Sequence, residues 1–451
     1  MSFITNSWNK FRTYTAPEKM LVETYLTGKK LTYSVVALSA LSIFFFGYDQ
    51  GLMSGVNASP DYVDHMKFGY SLDDGTVIVT DSVKQGGIVA IYYFGTLWGA
   101  LFGGIVSDDI GRIKSIALGA VIAIVGAALQ CSAQQTAWMC GARFVNGLGT
   151  GVLNAVVPVY TSETAESTSR GAYLAIEFTL NIFGVVVAYW LEFGLSFIDG
   201  GFSAFRWRFP IAFQILFLLV LLAIVWFFPE SPRWLVKNGD QARARSLLVK
   251  MRGEEDGDRE FNEIVAALSY EEDSALSSNY LSMFFDWYRG SEEQVAKAKK
   301  LHIARRVQLC VWFQIIQEWI GIAGITVYQI DIFSQAGFDS RKSQWLSGLN
   351  NIFYMFSTLI SVFTLDKWGR RFTCYWGAVG QGIALFLAGG FSKAQQNHPN
   401  NKSFGAASAA FVFIYTSIFG ATWLEVPWMY PAEVFPLEVR AQGNALSLIH
   451  I

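Results

Sequence analysis

Residues 83–134 read VKQGGIVAIYYFGTLWGALFGGIVSDDIGRIKSIALGAVIAIVGAALQCSAQ. Two apolar runs, near 83–106 and 115–134, flank the short charged loop Asp108-Asp109-Ile110-Gly111-Arg112. A hydrocarbon core of about 30 Å needs roughly 20 apolar helical residues per crossing, so each run is long enough to cross. Working outward, similar runs lie near 32–54, 137–160, 171–194, 208–228, 307–334, 344–365, 372–391 and 405–430. Together they make about ten spans, numbered here in chain order. Runs such as 115–134 and 137–160 are joined by a few residues and form antiparallel hairpins. The fold class is an all-α polytopic membrane protein.

Composition agrees. Hydrophobic residues make up 52% of the 451 residues and charged residues 16%, against about 25% charged in an ordinary soluble chain. A net charge of −2 gives no reason to expect nucleic acid. Cys131, Cys140, Cys310 and Cys374 sit in or beside apolar runs without ligand spacing, so they read as small hydrophobes. His65, His302, His398 and His450 are scattered over loops and ends, with no nucleophile–base constellation. An enzyme is therefore not expected, nor any cofactor or metal. The first 30 residues are polar and basic, and the first apolar run is too long for a signal peptide, so it reads as a true span.

Orientation follows from Lys and Arg in the loops. The N-terminus, the 107–114 and 366–371 loops and the hydrophilic stretch 230–306 are basic, whereas the loop after span 1 is acidic. All basic segments fall on one side if the N-terminus is cytoplasmic. The sequons Asn57-Ala58-Ser59 and Asn401-Lys402-Ser403 then face outside. The expected organisation is a cytoplasmic segment 1–30, a six-span bundle 31–229, a cytoplasmic linker 230–306 and a second bundle 307–451 with about four spans. Short surface helices are expected in the linker near 239–252, 258–272 and 292–306.

The opening motif recurs. Asp108-x-x-Gly111-Arg112 returns as Asp366-x-x-Gly369-Arg370, and Tyr160-x-x-Glu163 with Arg170 returns as Tyr430-x-x-Glu433 with Arg440. Two patterns repeated in the same order predict two homologous halves about an axis along the membrane normal. The first half carries four spans after its motif and the second only two. Residues 441–451 read as the start of an eleventh helix, and a truncated chain is expected rather than a ten-span protein.

These residues resemble the sugar porters of the major facilitator superfamily, particularly fungal members. The resemblance runs through Phe46-Gly47-Tyr48-Asp49-Gln50-Gly51, Asp108 to Arg112, Arg143-Phe144 with Gly147, Gly149 and Gly151, and Pro158-Val159-Tyr160 with Glu163 and Arg170. It continues in Pro229-Glu230-Ser231-Pro232-Arg233, Asp366 to Arg371, and Pro427-Trp428 with Glu433 and Arg440. It implies a twelve-span fold of two pseudo-symmetric bundles, alternating access, and a final pair of spans beyond this sequence. A chain without that pair is expected not to transport.

Asp49 lies inside span 1, where a carboxylate must be protonatable or paired, and Arg143 is the basic residue deep in the first six spans. The resemblance pairs them and implies proton coupling; a fixed structural ion pair is the alternative. The charges Asp108, Arg112, Glu163, Arg170, Glu230, Arg233, Asp366, Arg370, Glu433 and Arg440 lie at helix ends. There they can pair between helices and separate as the halves rock, or be ordinary solvated loop charge. The span 4 glycines are expected to serve close packing.

For a hydroxyl-rich solute the resemblance supplies Gln317, Tyr328 and Trp428, with departures. Glu318 replaces the second amide of span 7, Ala323 its asparagine, and Phe178, preceded by Glu177, the glutamine of span 5. Glu425 stands in span 10 where a small residue or proline is usual. The acids Glu177, Glu318 and Glu425 put an ordinary glucose site in doubt. They leave open a polyol, disaccharide or other sugar-like substrate, a cationic solute, or no specific role. The expected function is proton symport of a sugar-like solute by a monomer in the plasma membrane, its partners being solute, protons and lipid. A uniporter, a non-transporting sugar sensor and a carrier of another small organic solute are the alternatives.

Overall fold

A computed structural model describes residues 21–435, apart from 73–74, 166–169, 199–201 and most of 275–301. Arg440 and the expected eleventh helix lie outside the described residues, as do the side chains of Arg170, Asp366 and Glu433. Six unbroken spans come first: Lys29–Asn57, Ser82–Ile110, Arg112–Cys131, Thr136–Thr164, Arg170–Leu195 and Phe205–Val225. Span 7 follows in three pieces, Ile303–Trp319, Ile322–Val327 and Gln329–Gln335. Spans 8 and 9 are Ser340–Trp368 and Arg370–Asn397, and span 10 is split into Lys402–Thr422 and Val426–Val434.

By length and hydropathy, 9 helices among the described residues are able to cross a membrane. Span 4 has the length but not the hydropathy. Its polar residues Arg143, Asn146, Thr150 and Thr161 are all buried, so they face protein rather than lipid. On the side of the linker, Pro232–Lys237, Gln241–Arg252 and Glu254–Ser274 form surface helices. Leu235, Val236, Ala244, Leu247 and Met251 pack there with Leu31 at the start of span 1. Of the expected helix 292–306, residues 293–294, 296–298 and 301 lie outside the described residues, and Ile303 onward belongs to span 7. On the opposite side a short helix, Pro60–Met66, leads into an antiparallel ribbon with Gly69 opposite Val79. This ribbon is a small addition to an otherwise helical fold. Beside it, Asn57 and Ser59 are buried, so the first sequon, expected to face outside, is inaccessible in the folded chain.

Within the first half, small residues let backbones touch. A Cβ on Gly99 would collide with the Leu148 carbonyl, and one on Gly151 with the Thr96 carbonyl, so spans 2 and 4 meet through glycine. Gly149 faces span 3 at Ala123 instead. Close approach of this kind replaces the hydrophobic driving force that lipid removes.

The repeat is visible in three dimensions. Gly111 and Gly369 each form a one-residue break between consecutive spans, with φ of +101° and +79°, a conformation that favours glycine. Arg112 Nη1 donates back to the Ser107 carbonyl at 2.8 Å, and Arg370 Nη1 to the Leu365 carbonyl at 3.4 Å. The Ser115 hydroxyl donates to the Gly111 carbonyl at 2.7 Å, and the Thr373 hydroxyl to the Gly369 carbonyl at 3.0 Å. The two halves meet chiefly through spans 5 and 8. The hydroxyls of Thr179 and Thr358 share a hydrogen bond of 3.1 Å, and Phe178 lies 5.1 Å from the indole of Trp428. Toward the ribbon side, Tyr189 donates to the Thr326 carbonyl, and Ala58, Val185, Tyr189 and Ile330 close the gap between the halves.

Candidate transport site

Asp49 is fully buried on span 1. Its Oδ1 accepts from Asn146 Nδ2 at 3.2 Å, and its Oδ2 has no hydrogen-bond partner. Arg143, one helical turn before Asn146, lays its guanidinium over the Tyr92 ring, 4.6 Å from the centroid. That contact is a cation–π interaction, and Arg143 Nε and Nη1 are otherwise unpartnered. The structure thus brings Asp49 and Arg143 to the same point among spans 1, 2 and 4 without joining them in an ion pair. Asn146 and Tyr92 complete the group. The first is signalled by its i, i+3 spacing from Arg143, while nothing local in the sequence marks the second.

Spans 7 and 10 supply a second group. A helix that breaks inside a membrane strands carbonyls that must be satisfied by protein. At the break after Trp319, Gly321 takes a φ of +93° and the Tyr415 hydroxyl donates to the Ile320 carbonyl at 2.9 Å. At the break after Thr422, Gln317 Nε2 donates to the carbonyls of Trp423 and Leu424 at 3.0 and 3.3 Å. Gln314 Nε2 donates to the Pro427 carbonyl at 3.0 Å. The Oε1 atoms of both glutamines are unpartnered. Gln317, expected as a solute ligand, therefore spends its donor on the protein and keeps only an acceptor.

A narrow cleft lies where the first half faces span 10. Phe46, Tyr93, Thr96, Asn154 and Trp428 line it, together with Ala100 and Gly151. Of the expected solute residues, Trp428 lines this cleft directly and Phe178 packs on the same indole. Glu318 is half-buried within Coulombic reach of Tyr93, Tyr354 and Tyr415. Tyr328 sits at the second break of span 7, on the ribbon side, near Gly86. Glu177 departs from expectation: it is buried and accepts from the Thr161 hydroxyl of span 4 at 2.5 Å. Consecutive helical residues point about 100° apart, so Glu177 turns away from the site that Phe178 faces.

The family model described as "Sugar (and other) transporter" matches residues 35–450. The chain belongs to this family. It is 32% identical over 431 residues to the "Sugar transporter STL1" of Saccharomyces cerevisiae, covering 94% of this chain and 72% of the relative. It is 30% identical over 428 residues to the "MFS-type transporter oryC" of Aspergillus oryzae, covering 94% and 75%. Among solved structures, the proton:xylose symporter XylE of E. coli superposes with a TM-score of 0.76 at 22% identity, covering 94% of this chain and 86% of that one. The fold is that of the major facilitator superfamily, and the protein is an integral membrane transporter.

In this sugar transporter the linker-side charges of the first half form one cluster around Arg112. Its Nε and Nη2 donate to Glu163 at 3.1 and 2.9 Å, and its Nη1 to Asp108 at 2.7 Å. Lys237 pairs with the other oxygen of Asp108 at 3.0 Å. Glu230 caps the start of span 3: it accepts from the backbone amides of Arg112 and Ile113 at 2.8 and 3.2 Å and from its neighbour Ser231 at 3.0 Å. Burial pushes the Glu230 carboxyl above its ordinary range, and those amides pull it back. Arg233, on the adjoining helix, and Arg370 both have partners of their own. The cluster ties the span 2–3 turn to span 4 and to Pro232–Lys237, all on one side of the repeat.

Proposed function

We propose that this transporter is a proton symporter of a sugar or polyol, acting by alternating access in the plasma membrane with its linker side cytoplasmic. The observation that carries the reading is the burial of Asp49, with one oxygen unpartnered, beside an arginine that is not yet its partner. A carboxylate in such a place is stable when protonated or when a cation reaches it. Loss of the proton draws Arg143 from the face of Tyr92 toward Asp49 and tightens spans 1, 2 and 4. Protonation releases it. The proton thereby biases the packing of the first half, which is what coupling requires.

The solute is placed in the cleft, where Tyr93 and Trp428 offer aromatic faces and Thr96 and Asn154 hydrogen-bonding groups suited to hydroxyls. The Gln317 Oε1 atom and Glu318 accept from hydroxyls on the span 7 side. The linker-side charges, with Arg112 at their centre, act as a gate that holds one conformation.

The test is solute-driven proton uptake in transporter-deficient yeast expressing the full-length carrier, with Asp49→Asn beside it. Addition of the transported sugar or polyol alkalinises the medium, and Asp49→Asn removes that response. Entry of labelled solute with no pH change would replace symport by uniport. No entry across a broad panel would turn the reading toward a sensor or another class of solute.

A further inference from the structure

We propose that Glu425 is a second proton-binding site, in the carboxyl-terminal half and separate from Asp49. Glu425 is 1% exposed and neither carboxyl oxygen has a hydrogen-bond partner. It sits in the break of span 10, between Thr422 and Val426. A carboxylate at the start of a helix ordinarily accepts from the amides two and three residues on, and here neither is free for it. Pro427 has no N–H, and the amides of Trp428 and Met429 donate to the backbone carbonyl of Glu425 at 3.1 and 3.0 Å.

The side-chain donors nearby are committed as well. Gln317 and Gln314 give their amide hydrogens to carbonyls on either side of Glu425. Ser361 of span 8 faces the carboxyl but donates to the Thr358 carbonyl at 2.5 Å. Charged and titratable groups on the packed elements include Arg306 and Glu318 on span 7, Tyr354 on span 8 and Arg370 on span 9. Glu177 on span 5 and Tyr415 on span 10 are further ones. Among the described residues, no basic side chain forms an ion pair with Glu425. Arg306 instead donates to the Val434 carbonyl. An ionised carboxylate without donor or cation costs several kcal/mol, so in this conformation the group holds a proton.

A route for that proton follows from the packing. Trp428, three residues on, is pressed against Phe178 across the interface between the halves. When that contact parts, water reaches the break in span 10; the carboxyl O–H bond breaks heterolytically and the proton passes to water, with no change of oxidation state. The consequence for transport rests on the symport reading above, whereas occupancy of the site does not.

The experiment uses the purified full-length carrier and infrared difference spectra across a pH series, comparing wild type, Glu425→Gln, Glu425→Asp and Asp49→Asn. We expect a protonated-carboxyl band that is absent from Glu425→Gln, retained in Asp49→Asn, and displaced in its titration in Glu425→Asp. In cells, Glu425→Gln carries one proton fewer per solute while solute–solute exchange persists. Spectra of Glu425→Gln and Glu425→Asp that both match wild type would overturn the proposal. So would a Glu425→Gln band loss confined to the ionised-carboxylate region. The infrared arm needs no transport, so failure of the symport reading and failure of this site are separately visible.

Discussion

Replacing Arg112 by alanine gives a sharp test of how the linker-side cluster works. The guanidinium is 5% exposed and makes two hydrogen bonds to Glu163, one to Asp108 and one to the Ser107 carbonyl. Glu163 is only 8% exposed, so alanine strands a buried carboxylate. Breaking a buried pair from one side costs about 3–5 kcal/mol. Asp108 is 35% exposed and keeps Lys237 in reserve, so Asp108→Asn costs about 0–1 kcal/mol. At roughly 2 °C per kcal/mol, the alanine variant melts roughly 6–10 °C lower and the asparagine variant roughly 0–2 °C lower. Lysine at this position keeps the charge but not the fork, and falls between. The assay is thermal unfolding of the purified carrier in detergent at one fixed scan rate, since unfolding here is read as a rate. Removing both charges, Arg112→Met with Glu163→Met, recovers much of the loss because no buried charge is left alone. The reasoning fails if Asp108→Asn is as damaging as Arg112→Ala, or if the double variant melts below the single one.

Two further outcomes follow from packing and from the broken helices. Gly99→Val places a side chain on the Leu148 backbone and removes folded protein from fluorescence-detected size-exclusion profiles, whereas Gly141→Ala, with nothing within 4 Å, leaves the profile unchanged. Gln317→Leu leaves the Trp423 and Leu424 carbonyls without their donor, which costs about 1–3 kcal/mol and lowers the melting temperature even without solute. Were Gln317 purely a solute ligand, only the solute-dependent part of the thermal shift would change.

Long apolar runs are legible because each is close to the length a bilayer demands, and the glycine turns at 111 and 369 are legible because they recur between runs. The breaks in spans 7 and 10 were not. Gly321 marks the first only weakly, and Pro427 follows the second rather than causing it, so apolar continuity hid both. The protein partners of Gln317 and Glu177 are not legible for a related reason. Sequence places a polar residue on a helix, but which neighbour uses its donor is settled by tertiary packing. Asn146 was within reach of helical spacing, whereas Tyr92 and Tyr415 come from other spans. The buried Asn57 sequon shows the same limit, since the helix and ribbon that cover it follow from the fold rather than from its three residues.

The repeat matches the halves at their turns but not in their interiors, and that mismatch bears on the coupling proposed above. In the first half every span is unbroken, although Pro158 and Pro210 lie inside spans 4 and 6, and the buried groups free to respond include side chains such as Asp49 and Arg143. In the second half, Gln314, Gln317 and Tyr415 are held by carbonyls that the breaks release, so a solute hydroxyl reaching those carbonyls competes with the protein's own donors. On the symport reading proposed above, protonation of Asp49 acts on helix packing in the first half, while a solute acts on helix continuity in the second. These two effects meet where Thr179 touches Thr358 and Phe178 touches Trp428. A substitution there that leaves both Asp49 and the cleft intact, such as Thr358→Val, is expected to separate proton movement from solute movement rather than abolish either. Equal loss of both would mean that the contact only holds the halves together.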